Sequence, residues 1–203
     1  MKKLIRKKIK IGYKKASGEY IVKLQILGKN NEKRENVSDP IHAKYRCSKV
    51  KVLDIFHWKT GEKINSISGL CDPNFIYTLN QTIETNFDED LENVCSTGIH
   101  YFKTLEQAKY WNFFPFPAIV YKYTGECKEW DDRGDLILHC FYKDGKLHGE
   151  CKEWNQKGRL ITHCFYKDGK LHGEYKKWNH KGKLIKNCFY ENGKRLRLRL
   201  NFV

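Results

Sequence analysis

The clearest alternation of apolar and polar positions lies in residues 125–196, where one pattern occurs three times. The segments GECKEWDDRGDLILHCFYKDGKLH (125–148), GECKEWNQKGRLITHCFYKDGKLH (149–172) and GEYKKWNHKGKLIKNCFYENGKRL (173–196) align without gaps at an offset of 24 residues. A period of this length is typical of repeat arrays, in which each unit packs only on its neighbours. The pattern therefore predicts three copies of one structural unit.

Each copy has the pattern of two antiparallel strands. A short segment such as ECKEW precedes a polar turn such as NQKG, and LITHCFYK then runs to a second turn, DG or NG. Asp-Gly and Asn-Gly are strong hairpin signals, because both residues readily adopt positive φ. Alternation in the second copy separates its strand residues into two faces, with Leu160, Thr162, Cys164 and Tyr166 on one and Ile161, His163 and Phe165 on the other. The region predicts a single-layer antiparallel β-meander.

Aromatic side chains recur at fixed positions in the copies. Equivalent residues of neighbouring units would lie roughly 9–10 Å apart, twice the spacing of strands, and would form ladders that hold the units together. We predict that a partner binds to this aromatic surface, whose candidate residues are Trp130, Trp154, Trp178, Tyr142, Tyr166 and Tyr190. We interpret His148 and His172, which recur in the same way, as spacers between units or surface groups.

The pattern G-K-L-H-G-E-Y-x-x-W-x-x-x-G-K-L resembles the variant MORN repeat, a unit of about this length with glycine turns and regular aromatic positions. The likeness covers residues 120–196. It implies an elongated β-meander that serves as a scaffold or interaction surface, and membrane-lipid binding has been proposed for some MORN arrays. Cys127 and Cys151 depart from the motif, because they occupy the position of a tyrosine that Tyr175 retains.

The first 119 residues have a different pattern. Residues 9–27 predict a hairpin around residues 17–18, and residues 44–58 predict one or two strands followed by a turn at residues 60–61. Residues 99–102 predict a short strand.

A helix is predicted from about Leu105, with Thr104 as its N-cap and with Pro115 and Pro117 ending it. The residues expected on or near its apolar face are Leu105, Ala108, Tyr110 and Trp111.

The predicted fold is mainly β, with an α+β N-terminal domain in residues 1–119 and a MORN-type β-meander in residues 120–203. The alternating Arg and Leu of residues 195–200 predict a terminal capping strand with Leu inward.

Two further resemblances concern the N-terminal domain. The segment GIHYFKTLEQAKYW (98–111) resembles the G-F-Y-x-T…Q-A…W segment of some bacterial ADP-ribosyltransferase-like domains, which implies NAD-dependent transfer as one alternative function. The arginine, serine and glutamate that such enzymes use are not evident around it. The order of RCSKVKVLDI, CSTGIHYFKTLEQAKYW and the repeats is similar to that in uncharacterised proteins of giant DNA viruses such as mimiviruses.

Positive charge is concentrated at the two ends of the chain. The formal net charge is +15, and the first fifteen residues hold eight Lys or Arg and no acid, whereas residues 16–120 hold twelve basic and thirteen acidic residues. Basic ends favour polyanions such as nucleic acid or an anionic membrane surface, and a solvated basic surface is the alternative. The candidate polyanion contacts are Lys2, Lys3, Arg6, Lys7, Lys8, Arg195, Arg197 and Arg199.

Little in the sequence favours metal or covalent chemistry. The eight cysteines have no C-x-x-C spacing, and repeated histidines roughly 9–10 Å apart cannot converge at about 2 Å on one metal ion. The chain has no apolar stretch typical of a secretion signal or a membrane span, so we expect reduced cysteines and an intracellular location, in the host cytoplasm or the virion if the protein is viral. We predict no catalytic residue, metal or cofactor.

The sequence as a whole favours a non-enzymatic scaffold or interaction protein, whose repeat surface binds a protein partner or an anionic surface. A nucleic-acid-binding module that uses the basic ends and exposed aromatic residues is the first alternative. An ADP-ribosyltransferase-like enzyme in the N-terminal domain is the second.

Overall fold

The computed structural model describes residues 9–111 and 123–196, which are mainly β-strand. These residues form two compact units. Residues 9–111 with 132–134 make up the first unit, and residues 123–131 with 135–196 make up the second. The predicted domain boundary near residue 119 lies outside the described residues.

The described part of the first unit contains a six-stranded antiparallel sheet, a two-stranded hairpin and one short helix. Its strands are β1 Ile11–Lys15, β2 Tyr20–Ile26, β3 Lys44–Cys47, β4 Lys49–His57, β5 Ser66–Ser68, β6 Ile76–Thr78, β7 Thr82–Glu84 and β8 Ile99–Phe102. The strand order of the large sheet is β3-β8-β1-β2-β4-β7, and β5 pairs with β6. The predicted hairpin of residues 9–27 is confirmed as β1 and β2, joined through Gly18 at φ +62°.

Both faces of the six-stranded sheet are covered. One face buries a cluster of aliphatic side chains with Tyr45 and Tyr101, and residues of the β5–β6 hairpin pack against that cluster. The helix α1, Leu105–Tyr110, covers the other face, where Ala108 is buried beside Ile21. Two covered faces explain why strands such as β2 bury successive residues.

The predicted N-cap of α1 is confirmed, because the Thr104 hydroxyl accepts a hydrogen bond of 3.2 Å from the Gln107 amide. The prediction for Leu105 is wrong: its side chain is exposed, since it occupies the first position of a six-residue helix that buries Gln107, Ala108 and Tyr110. The helix ends at Tyr110. The two prolines predicted to end it, Pro115 and Pro117, lie outside the described residues.

The second unit is a seven-stranded antiparallel meander in which every strand pairs with its neighbours in the chain. Its strands are β9 Gly125–Trp130, β10 Leu136–Lys143, β11 Lys146–Trp154, β12 Leu160–Lys167, β13 Lys170–Trp178, β14 Leu184–Glu191 and β15 Lys194–Arg195. The predicted Asp-Gly and Asn-Gly turns are confirmed, since Asp144, Asp168 and Asn192 have φ of +48°, +51° and +49° and each precedes a glycine with positive φ. The predicted terminal strand is described only as far as Arg195.

Two irregularities of register recur in the meander. The pairing of strands shifts by one residue near the tryptophan of each repeat, for example between Glu153 and Trp154. This shift interrupts the strict alternation of the two sheet faces that was predicted to begin at Leu160 and Ile161. It shifts again where a strand leaves its hairpin, next to Gly149 and Gly173, whose φ values are +100° and +101°. Beyond the first shift, the predicted faces are confirmed, because His163 and Phe165 contact each other on the face opposite Cys164.

Candidate functional site

The predicted aromatic residues lie in two rows at opposite ends of the strands. Each tyrosine pairs with a glycine of the preceding strand, and each tryptophan pairs with a leucine; the pairs are Tyr142–Gly125, Tyr166–Gly149, Tyr190–Gly173, Trp130–Leu136, Trp154–Leu160 and Trp178–Leu184. The five residue steps from Gly125 to Trp130 place the rows about 17 Å apart at the rise of a β-strand. Tyr142 is buried, and the other five side chains are half-buried. The structure therefore does not bring the tyrosines and tryptophans together in one site.

Between these rows, one face of the sheet carries a row of thiols. Cys140 lies directly opposite both Cys127 and Cys151, and Cys151 also lies opposite Cys164. Tyr175 continues the row and pairs with Cys188. We call Cys127, Cys140, Cys151 and Cys164 the thiol row; all are free and buried.

Neighbouring thiols of the row affect one another's pKa values. The hydrogen bond with Cys127, together with burial, raises the pKa of Cys140, and the hydrogen bond with Cys140, together with burial, raises the pKa of Cys151 to about 12. The hydrogen bond with Cys151 and burial likewise raise the pKa of Cys164. Cys140, Cys151 and Cys164 therefore stay protonated near neutral pH. The described residues contain no group of three or more His, Cys, Asp or Glu arranged to hold a metal ion.

The opposite face of the sheet carries a row of alternating lysine and histidine. Its members, each directly opposite the next, are Lys128, His139, Lys152, His163, Lys176 and Asn187. A glutamate of each copy neutralises part of this charge: Glu150 Oε1 lies 2.9 Å from His163 Nε2, and its Oε2 lies 2.9 Å from Lys152 Nζ. Hydrogen bonds from Lys152 and His163 lower the pKa of Glu150. This face therefore balances its charges within each repeat.

The repeated histidines at the corners of the meander act on the backbone. The amide of Asp168 donates a hydrogen bond of 3.5 Å to His148 Nδ1, and the amide of Asn192 donates one of 3.5 Å to His172 Nδ1. Thr124 occupies the same position before the first copy, and its hydroxyl accepts from the amide of Asp144 at 2.9 Å. These side chains cap the turn of the next unit.

The third copy is the most exposed and the most basic. Ile185 is 56% exposed and Phe189 is 41% exposed, whereas their counterparts in the first two copies are half-buried. Residues 173–196 contain seven Lys or Arg and two acids, compared with four and six in residues 125–148. Arg195, a predicted polyanion contact, lies exposed in β15. The other predicted contacts, Lys2, Lys3, Arg6, Lys7, Lys8, Arg197 and Arg199, lie outside the described residues.

The first unit has a small cavity beside β1 and β8. Lys14, Cys71 and Tyr77 are among the residues that line about 140 Å³ of space. Burial lowers the pKa of Lys14 to about 8, and its Nζ donates a hydrogen bond to the His100 carbonyl at 3.3 Å. Burial also lowers the pKa of His100 to about 4. The cavity is smaller than the roughly 300 Å³ at which most ligand pockets begin.

The strand opposite β8 contributes a buried arginine that the sequence pattern did not reveal. Arg46 is fully buried, and its guanidinium donates to the carbonyls of Asp88, Asp90, Asn93 and Thr97. Arg46 pairs with His100, within the segment that resembles ADP-ribosyltransferases. Its donors are engaged by the loop of residues 88–97, so in this structure Arg46 organises that loop.

From the sequence we expected reduced cysteines and placed Cys164 on one face of a strand, but the thiol row was not predicted. The signal was present in their spacing, since Cys127, Cys140, Cys151 and Cys164 are separated alternately by 13 and 11 residues. Spacing of this kind places residues opposite one another when the strands are joined by successive turns.

Comparison with known proteins identifies the first unit only by family. The sequence model of a family of unknown function, DUF5758, matches residues 3–108, which is more than half of the chain, so the chain belongs to this family. The repeats lie outside the matched residues. No curated protein and no solved structure matches the chain. Among the described residues, no helix has the length and apolar character needed to cross a membrane.

Proposed function

We propose that this member of DUF5758 is a non-enzymatic interaction protein, and that strand β14, in the third of its MORN-type repeats, binds an extended, acidic segment of a partner protein. The observation that carries the proposal is the outer edge of β14. β15 pairs with β14 at Tyr190 and Glu191, and the Leu196 amide donates a hydrogen bond of 2.8 Å to the Phe189 carbonyl. Among the residues that the structure describes, none pairs with the outer side of β14 from Leu184 to Cys188. An exposed edge of this kind accepts an additional strand.

The first two copies show which residues of β14 an added strand would pair with. β10 and β12 occupy the same position in their units, and each has a strand on both sides. On the outer side of β12, Lys176 lies opposite His163 and Tyr175 lies opposite Cys164. By analogy, an added strand would place its residues opposite Asn187 and Cys188 of β14.

The exposed side chains and the charge of the third copy define the chemistry of the partner. Ile185 and Phe189 offer apolar surface on both sides of Asn187. The seven basic residues of residues 173–196 against two acids favour a segment with negative charge. A strand with alternating apolar and acidic residues satisfies both requirements.

A titration with a peptide designed from the repeats tests the proposal. The peptide GEYKEW combines the strand of residues 149–154 with the tyrosine of the third copy, and it carries a net negative charge. We expect amide resonances of β14 to shift on addition of this peptide. The control peptide GEYPEW should not bind, because proline cannot donate a ladder hydrogen bond.

Protein variants locate the binding. Ile185→Asp should weaken the peptide at least about tenfold, because it adds like charge and removes apolar contact. The matched control, Lys157→Asp, changes an exposed turn of the second copy and should have a smaller effect. Equal binding of both peptides, or no effect of Ile185→Asp, would contradict the proposal.

Titrations with polyanions test the nucleic-acid-binding and anionic-surface alternatives. Single-stranded RNA, duplex DNA and anionic vesicles are titrated at several salt concentrations, because phosphate binding falls steeply with salt. If these ligands bind and the peptide does not, the nucleic-acid or anionic-surface function replaces the one proposed. Calorimetry with NAD tests the ADP-ribosyltransferase-like alternative.

A further inference from the structure

The thiol row has the geometry of adjacent cross-strand disulfides. Residues directly opposite in antiparallel strands have Cα atoms about 4.5–5.5 Å apart, within the roughly 4.4–6.8 Å that a disulfide spans. The thiol row satisfies this condition at three successive pairs, Cys127–Cys140, Cys140–Cys151 and Cys151–Cys164. Paired residues also project to the same face of the sheet.

We propose that the thiol row is a site of reversible oxidation, at which a low-molecular-weight disulfide such as oxidised glutathione produces two cross-strand bonds, Cys127–Cys140 and Cys151–Cys164. This pairing uses every member of the row. The central pair, Cys140–Cys151, would leave Cys127 and Cys164 without a partner within the row. Exchange between neighbouring thiols and disulfides allows the row to reach the fully paired arrangement.

Each bond forms in two balanced steps. The thiolate of one cysteine attacks the sulfur–sulfur bond of glutathione disulfide, forming a mixed disulfide and releasing one glutathione thiolate. The neighbouring cysteine, as its thiolate, then attacks the protein sulfur of the mixed disulfide and releases the second glutathione. Two protein S–H bonds are lost and one S–S bond is formed, while two electrons reduce the glutathione disulfide and the two protons end on the released glutathiones.

Burial of the thiol row sets the order in which cysteines react. Only thiolates attack disulfides, and Cys140, Cys151 and Cys164 have raised pKa values in the closed sheet. The exposed Cys71 and Cys95 should therefore react first and form mixed disulfides with glutathione. Oxidation of the row follows local opening of the sheet and then links β9 to β10 and β11 to β12.

The chain contains its own controls for this chemistry. Cys188 lies on the same face and is also buried, but it faces Tyr175 instead of a cysteine. Cys47 is buried in the first unit, and burial raises its pKa to about 12. Neither should form a disulfide.

The test is the oxidation of the full chain in glutathione buffers of increasing oxidised fraction. Free thiols are alkylated under denaturing conditions, and the intact mass and tryptic peptides are measured without reduction. Trypsin cuts between each neighbouring pair of the row, at Lys128, Lys143 and Lys152 for example, so the linkages can be assigned. We expect the four thiols of the row to resist alkylation while Cys188 and Cys47 remain reactive.

Two variants make the test independent of a folding failure. Cys140→Ser should abolish the first bond, leave Cys127 reactive and retain the bond between Cys151 and Cys164. Tyr175→Cys should extend the row by one thiol and bring Cys188 into a disulfide. The second variant gains a bond, so loss of structure cannot explain a positive result.

Three outcomes would overturn the proposal. The row cysteines could stay reactive under conditions that fully glutathionylate Cys71 and Cys95. A Cys140–Cys151 bond could form instead of the assigned pairs. Disulfides could also include Cys188 or Cys47 in the unmodified sequence, which would show indiscriminate oxidation.

Oxidation of the row has a second, independent readout. Two disulfides across β9 to β12 should slow amide hydrogen exchange in those strands at least about tenfold, because they restrict local opening. Exchange in β14, which lies beyond the thiol row, should change less. Equal slowing of all strands, or none, would contradict the assigned positions of the bonds.

Discussion

The two units of the protein bury different kinds of side chain. The sheet of the first unit has both faces covered and buries large residues such as Leu24, Ile55 and Tyr101 completely. In the described part of the second unit, the buried hydrophobic residues are Tyr123, Cys127, Cys140, Tyr142, Cys151, Cys164 and Cys188. A thiol buries much less apolar area than leucine or isoleucine, so burial stabilises the second sheet less.

This difference indicates which interactions stabilise each unit. The first unit depends on particular packed and hydrogen-bonded side chains, so a single substitution can remove a large part of its stability. The second depends on strand pairing and on turns repeated every 24 residues, as in other repeat arrays. We therefore expect large, concentrated effects in the first unit and smaller, distributed effects in the second.

The largest expected effect is that of Arg46→Leu. The substitution leaves the carbonyls of the loop of residues 88–97 without the donors that Arg46 provides. We expect a loss of about 3–5 kcal/mol in the free energy of unfolding of the first unit, typical of breaking a buried charged network. Hydrogen exchange of the full chain, measured by peptide, should increase in residues 44–102 and change little in residues 136–191.

Arg46→Lys is the matched control, because it keeps the charge but loses the planar fork of donors. It should recover only part of the stability. If Arg46→Leu were as stable as the original sequence, the loop would not depend on the arginine and the contrast between the units would fail.

An intermediate effect is expected for Gly173→Ala, which tests how far the repeats depend on a backbone with positive φ. Gly173→Ala places a Cβ atom on a residue with φ +101°, and the nearest other side-chain atom, the Cβ of Phe165, would lie at an ordinary contact distance of 3.5 Å. The cost is therefore mainly backbone strain, about 2 kcal/mol. Thermal unfolding of the second unit should move to lower temperature.

Gly182→Ala is the comparison for Gly173→Ala. Gly182 has φ +82° in an open turn with nothing within 4 Å of an added Cβ, and we expect a cost of about 1 kcal/mol. Equal costs at the two positions would show that the shift of register at Gly173 places no special demand on the backbone.

The sequence predicted the repeats more completely than the first unit, for a physical reason. Three aligned copies reveal which residues the unit needs, and the Asp-Gly and Asn-Gly turns fix the hairpins locally. The strand order of the first unit joins β8 to β1 and β3 across long stretches of chain, and no local pattern encodes such pairing. Arg46 was missed for the same reason, because its acceptors lie more than forty residues away.

The candidate site was less predictable than the fold. Fixed aromatic positions indicated ladders, but register determines that Tyr142 lies opposite Gly125 and is buried. The thiol row also depends on register, because a slip of one residue would move a cysteine to the other face. The sequence supplied the spacing of the cysteines, and the pairing of the strands supplied their contact.

The smallest expected effect is that of His172→Ala, which removes the acceptor for the Asn192 amide. The bond is long, at 3.5 Å, and it lies on the surface, so the free energy of unfolding should fall by only about 0.5 kcal/mol. Exchange of the Asn192 amide should nevertheless accelerate. His172→Thr should restore protection, because Thr124 caps the corresponding turn of the first copy through its hydroxyl. Identical exchange in all three proteins would show that the repeated histidines only separate the units, whereas rescue by threonine would establish that they cap the turns.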